Sequence, residues 1–155
     1  MKRDNMKYSE KISNRLNDLL EKTYDAEKGF KLAQDKIDDS TTKKFLNDRA
    51  EQRAAFGHEL KREITQYGEI QDTDGSVKGD MHRAWMNLKS AVASNENEKI
   101  LEEVERGEKA SLEEYNEIIK DEDMVLPPST KSTLMRQRDA IESSLTVANI
   151  HEHMA

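Results

Sequence analysis

The apolar residues of this chain recur at spacings of three and four, which is the period of an α-helix and not that of a strand. One row of such positions runs from Ile12 to Ile37, and a second runs from Leu46 to Tyr67. Between them, Asp39 or Ser40 can cap the start of a new helix. Because the link between the two rows is short, we expect these helices to pack antiparallel.

Two further rows complete the pattern. The third runs from Leu101 to Ile119, and the fourth runs from Leu134 to Ala148 after Pro127 and Pro128. The sequence therefore predicts an all-α fold, a four-helix bundle formed as one domain over residues 1–155, with its core at about residues 12–150.

The connection between the second and third helices, residues 69–97, is far longer than an up-down bundle requires. Its apolar positions have roughly helical spacing and predict a short fifth helix: Val77, Met81, Trp85, Leu88 and Val92. A crossover of this length can return along a helix of about 37 Å. We therefore predict that the second and third helices are parallel neighbours, as in ferritin-like bundles, and that Trp85 anchors the crossover helix to the bundle.

Composition narrows the function classes. The chain has no cysteine, which excludes disulfides, thiol catalysis and cysteine-based metal sites. Its net charge of −7 argues against a general nucleic-acid binder, and no apolar run reaches the ~18–20 residues of a membrane span. We expect a cytoplasmic protein with neither nucleic acid nor membrane as a partner. Residues 96–123 carry 12 acids and 4 bases, which indicates either a solvated helix face or a docking surface for cations or a basic partner.

Polar residues interrupt the apolar rows near their centres. They are Glu27 on the first helix, Arg53 on the second, Glu105 and Glu108 on the third, and Gln137, Arg138 and Glu142 on the fourth. Buried charges require pairing and hydrogen bonds. We predict a metal-free ion-pair layer in which Arg53, with or without Arg138, neutralises Glu27 and either Glu105 or Glu108.

Three glycines, Gly29, Gly57 and Gly107, lie inside predicted helices. Each costs about 1 kcal/mol relative to alanine in a helix interior. A close approach of neighbouring backbones is one reason for the chain to carry them.

A di-metal carboxylate site in such a bundle takes a glutamate from each of two helices and a Glu-x-x-His pair from each of the other two. The chain has four histidines, and the residues three positions before them are Ala55, Gly79, Ala148 and Ile150. No Glu-x-x-His pair exists, so we expect no cofactor and identify no catalytic residue. The alternative is a degenerate site for iron or manganese, formed by Glu27, Glu105, Glu108 and Glu142.

Several segments together resemble a bacterial family of uncharacterised four-helix-bundle proteins, a domain of unknown function in the ferritin-like superfamily. The resemblance covers about residues 14–148 and is carried by residues 16–20, 25–30, 52–56, 82–89 and 105–108. It implies a ferritin-like bundle and no particular activity. Many ferritin-like relatives oxidise or store iron. The resemblance also implies a histidine near the end of the fourth helix, where this chain has Leu145.

These observations favour a non-enzymatic bundle that acts through self-association, as a homodimer, or through binding another protein. The degenerate di-metal protein is the second hypothesis. A third is a small-molecule binder in the crossover groove around Met81, Trp85 and Tyr115.

Overall fold

A computed structural model describes the backbone of residues 2–71, 85 and 87–154, and the side chains of residues 7–71, 85 and 87–146. This part of the chain forms five α-helices and contains no strand, which confirms the all-α prediction. The helices are α1 (Lys2–Lys36), α2 (Ser40–Ile64), α3 (Leu88–Ser94), α4 (Asn97–Lys120) and α5 (Pro128–Met154). None of the described helices has the length and apolar character of a membrane span.

The link between α1 and α2 is a tight turn capped by Asp39. Its carboxylate accepts hydrogen bonds from the backbone N–H of Thr42 at 2.8 Å and from the hydroxyl of the same residue at 2.7 Å. This satisfies a donor that the first helical turn leaves unpaired. The side chains of Gln34 and Asn47 meet at 3.2 Å just beyond the turn, so α2 runs back along α1 as expected.

The other helix pairs are antiparallel as well. Arg15 binds Asp121 at 3.4 Å at the end of α4, and Lys22, further along α1, binds Glu114, earlier in α4, at 2.9 Å. In the same way, Thr130 near the start of α5 donates to Glu63 near the end of α2 at 2.6 Å, and Arg49 earlier in α2 donates to Ser144 later in α5 at 2.9 Å. Since α2 and α4 are both antiparallel to α1, they run in the same direction.

The expectation that the second and third long helices are neighbours is wrong. In the structure α1 packs against α2 and α4, and α5 packs against the same two helices. The helices α2 and α4 therefore lie at opposite corners of the bundle. The two antiparallel hairpins stack side by side, so each long helix borders only antiparallel partners and the parallel pair faces across the core.

The crossover is described in part. Trp85 and α3 pack on α1 and α4, while Val77 and Met81 of the expected crossover helix lie outside the described residues. Asn95 ends α3 with a positive φ of 58°, a left-handed conformation that asparagine tolerates well. The chain then turns directly into α4.

The buried apolar residues form two clusters. One contains Leu20 and Leu60, and the other contains Phe30 and Leu101. Along α2 and α4, the residues between the two clusters include Arg53 and Glu108. The polar layer thus separates two apolar halves of the core.

Candidate functional site

The centre of the bundle contains a buried ion pair that crosses the core diagonally from α2 to α4. Nη1 of Arg53 donates to Oε1 of Glu108 at 2.6 Å, and Nη2 donates to Oε2 at 2.8 Å. Arg53 is 1% exposed and Glu108 is fully buried. The arrangement is the bidentate fork that planar guanidinium and carboxylate groups form most strongly.

Aromatic rings surround the guanidinium. Cζ of Arg53 lies 5.2 Å from the ring centroid of Phe30 and 5.9 Å from that of Phe56, within the range of cation–π attraction. Its Nε is buried without a hydrogen-bond partner. The guanidinium at the centre of the bundle is therefore bordered by two phenyl rings.

A second polar chain lies on the α5 side of the core. The hydroxyl of Tyr115 donates to Oε1 of Gln137 at 2.6 Å, and Nε2 of Gln137 donates to Glu59 at 3.1 Å. Glu59 is also bound by Arg136 at the surface. Burial raises the pKa of Tyr115 far above its ordinary range, so this phenol remains a neutral donor.

Burial also acts against ionisation of Glu59, but hydrogen bonds from Arg136 and Gln137 outweigh it and lower the pKa of this carboxyl. The side chain therefore stays ionised, and its charge is balanced by a partly exposed cation instead of by the core.

Of the four glutamates considered at the sequence level, only Glu108 joins the central pair. Glu27 binds Lys31 at 2.8 Å and Glu105 binds Lys109 at 3.1 Å, each one helical turn away along the same helix. The prediction that Arg53 neutralises Glu27 is therefore wrong. A lysine at i+4 reaches these carboxylates without crossing the core.

Of the three polar candidates on α5, Gln137 is the one that enters the core, where it is fully buried. Arg138 binds its neighbour Asp139 at 3.0 Å, and Glu142 is exposed. The alternative metal set of Glu27, Glu105, Glu108 and Glu142 is therefore not brought together, because one member lies in the central pair and another faces solvent. Within the described residues, no three or more histidine, aspartate or glutamate side chains form a group that could hold a metal ion.

The histidines add nothing to this centre in the described part of the chain. His58 is exposed on α2. His82 and the side chains of His151 and His153 lie outside the described residues.

Sequence reasoning missed Asn17, a buried residue that holds the chain where it leaves α2. Its amide nitrogen donates to the carbonyl of Glu69 at 2.9 Å, and its amide oxygen accepts from the N–H of Gln71 at 2.8 Å. The side chain thus satisfies two backbone groups of an irregular segment, as a paired strand would. Its place beside an apolar row was the only available signal, and that place does not reveal the partner.

The acidity of α4 is partly neutralised within the fold. Four of its glutamates (Glu103, Glu105, Glu108 and Glu114) bind cations. Its exposed charged residues are Glu98, Glu102, Glu113 and Glu117 with Lys99, Arg106, Lys109 and Lys120. Two of these bases, Arg106 and Lys109, are the partners of Glu103 and Glu105, so the surface of α4 keeps an excess of acidic residues and remains consistent with either a solvated face or a docking surface for a basic partner.

The indole of Trp85 occupies a slot between α1 and α4. A Cβ added at Gly29 or at Gly107 would lie less than 3.0 Å from ring atoms of Trp85. These two glycines therefore make room for a side chain, and the expectation that they allow a close approach of two helix backbones is corrected.

Trp85 and Tyr115 belong to different core clusters, so they do not line one groove as the small-molecule hypothesis required.

The model of a protein family described as a domain of unknown function (DUF2383) matches residues 11–121. The chain belongs to this family. The DUF2383 match begins within α1 and ends immediately after α4, so it includes Arg53, Glu108, Trp85 and both glycines of the slot. Neither the curated proteins nor the solved structures gave a match to the chain. The DUF2383 description names no activity, so the function is inferred from the geometry of the bundle core.

Proposed function

We propose that this protein is a ferritin-like bundle without catalytic activity, that it acts in the cytoplasm by self-association as a homodimer or by binding another protein, and that an ion pair takes the place of metal in its core. It uses neither nucleic acid nor a membrane as a partner.

The observation that carries the proposal is the engagement of both carboxylate oxygens of Glu108 by Arg53 at the centre of the bundle. Ferritin-like proteins place metal-binding carboxylates and histidines at this level. A guanidinium there repels a metal cation and supplies the positive charge that the buried carboxylate requires. Both oxygens of Glu108 are therefore paired by the protein itself, which supports a structural role for this ion pair.

Elemental analysis tests the metal-free core. Untagged protein is incubated with ferrous or manganous ions, desalted and analysed beside the Glu108→Gln variant. We expect neither protein to retain stoichiometric metal. Retention of about one or two ions per chain that is lost in Glu108→Gln would contradict the proposal and favour the di-metal alternative.

An exposed apolar pair supports self-association. Val125, in the link between α4 and α5, is 63% exposed although its neighbours Met124 and Leu126 are buried. The hydroxyl of Tyr8 donates to the backbone carbonyl of Val125, which places a second exposed apolar residue beside it. We assign the contact with a second copy to this end of the bundle, because apolar surface is most favourably covered by like surface.

Sedimentation velocity over a range of concentrations tests the assignment. We expect the wild-type protein to dimerise and Val125→Asp to shift it towards monomer, because a carboxylate at a paired apolar position would lose its water. Ala55→Asp adds the same charge at an exposed position of α2 and is the matched control. A wild-type protein that is monomeric at all concentrations would exclude the homodimer and leave binding to another protein.

A further inference from the structure

The slot between α1 and α4 has an unusual shape. One wall is the backbone at Gly29 and the opposite wall is the backbone at Gly107, and neither wall has room for a Cβ while the indole of Trp85 is seated. Glycine is less favourable than alanine in a helix interior. The close fit of the indole ring gives a reason for the two helices to carry glycine at these positions.

The end of the slot is aromatic and leads to the ion pair. The ring of Phe30 lies 5.4 Å from that of Trp85, centroid to centroid, with 59° between their planes. Arg53 lies over the same phenyl ring, and Glu108 directly follows the glycine of the opposite wall. A flat ring in the slot thus packs against Phe30, the phenyl ring over which the Arg53 guanidinium lies.

We propose that this slot is a binding site for one flat aromatic ring, an indole or an aromatic side chain, which the chain fills with its own Trp85. Two smooth backbone walls and a tilted phenyl ring fit a planar ring and fit a bulky aliphatic group poorly. Trp85 thereby acts as a ligand in cis, and it packs on the phenyl ring that borders the Arg53–Glu108 pair. This inference does not depend on the proposed self-association.

The test uses the full chain with Trp85→Gly, which empties the slot, and free indole as the probe. Apolar cavities made by such truncations stay empty and take up aromatic molecules of matching size. We expect indole to bind with a stoichiometry of one by calorimetry. It should raise the melting temperature by roughly 5–10 °C when it is present at a hundredfold excess over its Kd.

Two controls separate a shaped site from general solvent effects. In Trp85→Gly with Gly107→Ala, the added methyl group narrows the slot, and indole affinity should fall by about tenfold or more. Cyclohexanol, which is not flat, should bind the single variant at least about tenfold more weakly than indole does.

A folded Trp85→Gly variant that shows no saturable response to indole would overturn the proposal, as would equal responses with and without Gly107→Ala. If Trp85→Gly does not fold alone, it is refolded with increasing indole and the folded fraction is read by circular dichroism. A folded fraction that rises with indole supports the site, and one that stays constant refutes it.

Discussion

Replacing Arg53 by leucine is the sharpest perturbation of the core. The substitution removes the cation that both oxygens of Glu108 contact at 2.6 and 2.8 Å. Glu108 is fully buried, so water cannot replace the lost hydrogen bonds without a rearrangement of the bundle. The variant must either bury an unpaired carboxylate or open the core around it.

The magnitude follows from the burial of both partners. Removing one member of a buried pair destabilises proteins by about 3–5 kcal/mol. The cation–π contacts of Arg53 with Phe30 and Phe56 contribute in the same direction, at about 0.5–2 kcal/mol each. Loss of the unpaired Nε acts the other way by about 1–3 kcal/mol. A net loss of about 3–5 kcal/mol is a large share of the 5–15 kcal/mol typical of a domain.

Urea denaturation followed by circular dichroism measures this loss. With an m-value of about 2 kcal/mol/M, the midpoint should fall by about 1.5–2.5 M. The double variant Arg53→Leu with Glu108→Leu completes a mutant cycle. Because neither charge remains, the double variant should be much more stable than the sum of the two single losses implies.

A loss below about 1 kcal/mol in Arg53→Leu would refute the reasoning, because it would mean that the pair is accessible to water. A cycle in which the two single losses simply add would refute it equally, since it would show that the two side chains do not interact.

Three other predictions concern the rest of the core. Gly107→Ala should destabilise the protein by about 1–3 kcal/mol in urea melts, because the added Cβ would clash with the indole ring of Trp85. Gly57→Ala is the control, since a Cβ there has its nearest neighbour atom at 3.5 Å, and it should stabilise the protein by up to about 1 kcal/mol. Equal effects of the two substitutions would contradict the slot geometry. Tyr115→Phe leaves the Oε1 of Gln137 without its donor and should cost about 1–2 kcal/mol at pH 7. Because the pKa of Tyr115 is raised by burial, its stabilising effect is present below about pH 10 and declines at higher pH, so the variant should lose less stability than wild type in alkaline melts. Burial raises the pKa of Asp25 to about 7 against the opposing charge of Lys28, with a smaller contribution from Glu21 in the same direction as burial. The folded state therefore binds this proton more tightly than the unfolded state, so the contribution of Asp25 to stability should decrease from about pH 4 to pH 7. Asp25→Asn lacks this contribution, so the stability difference between variant and wild type should change over that range, and identical pH profiles would show that the carboxyl is not desolvated.

The helical periodicity of the sequence predicted the long helices because each has one face in the core. The rows through Leu16, Leu60 and Val104 are buried as their spacing indicated. The cap at Asp39 was also predictable, since a short polar residue after an apolar row has few other roles. Local chemistry of this kind depends only on nearby residues.

Features that depend on three-dimensional packing were harder to predict. Spacing placed Glu27, Glu105 and Glu108 near the core at similar depth, but only the third points to the centre in the structure. A rotation of a few tens of degrees about the helix axis decides whether a glutamate binds a partner across the core or a lysine on its own helix. The pattern of apolar residues does not fix that rotation.

The crossover shows the same limit. Its length correctly required the chain to return along the bundle, but length alone did not show which helix would lie next to which. The partner of Asn17 is more than fifty residues away along the chain, with separations of 52 and 54 residues for its two bonds. No local pattern indicates such a contact.

The bidentate ion pair between Arg53 and Glu108 also restricts the translation of α4 along its axis relative to α2. A shift of α4 by one turn, about 5.4 Å, would leave leucine, valine and isoleucine side chains facing similar apolar neighbours. The same shift would break both hydrogen bonds and leave two charged side chains unpaired in the core. Apolar packing alone would tolerate several helix registers of similar energy, and the ion pair makes one of them much more favourable than the others. The Arg53–Glu108 pair, which interrupts the apolar core, thereby selects one alignment of the helices in the bundle.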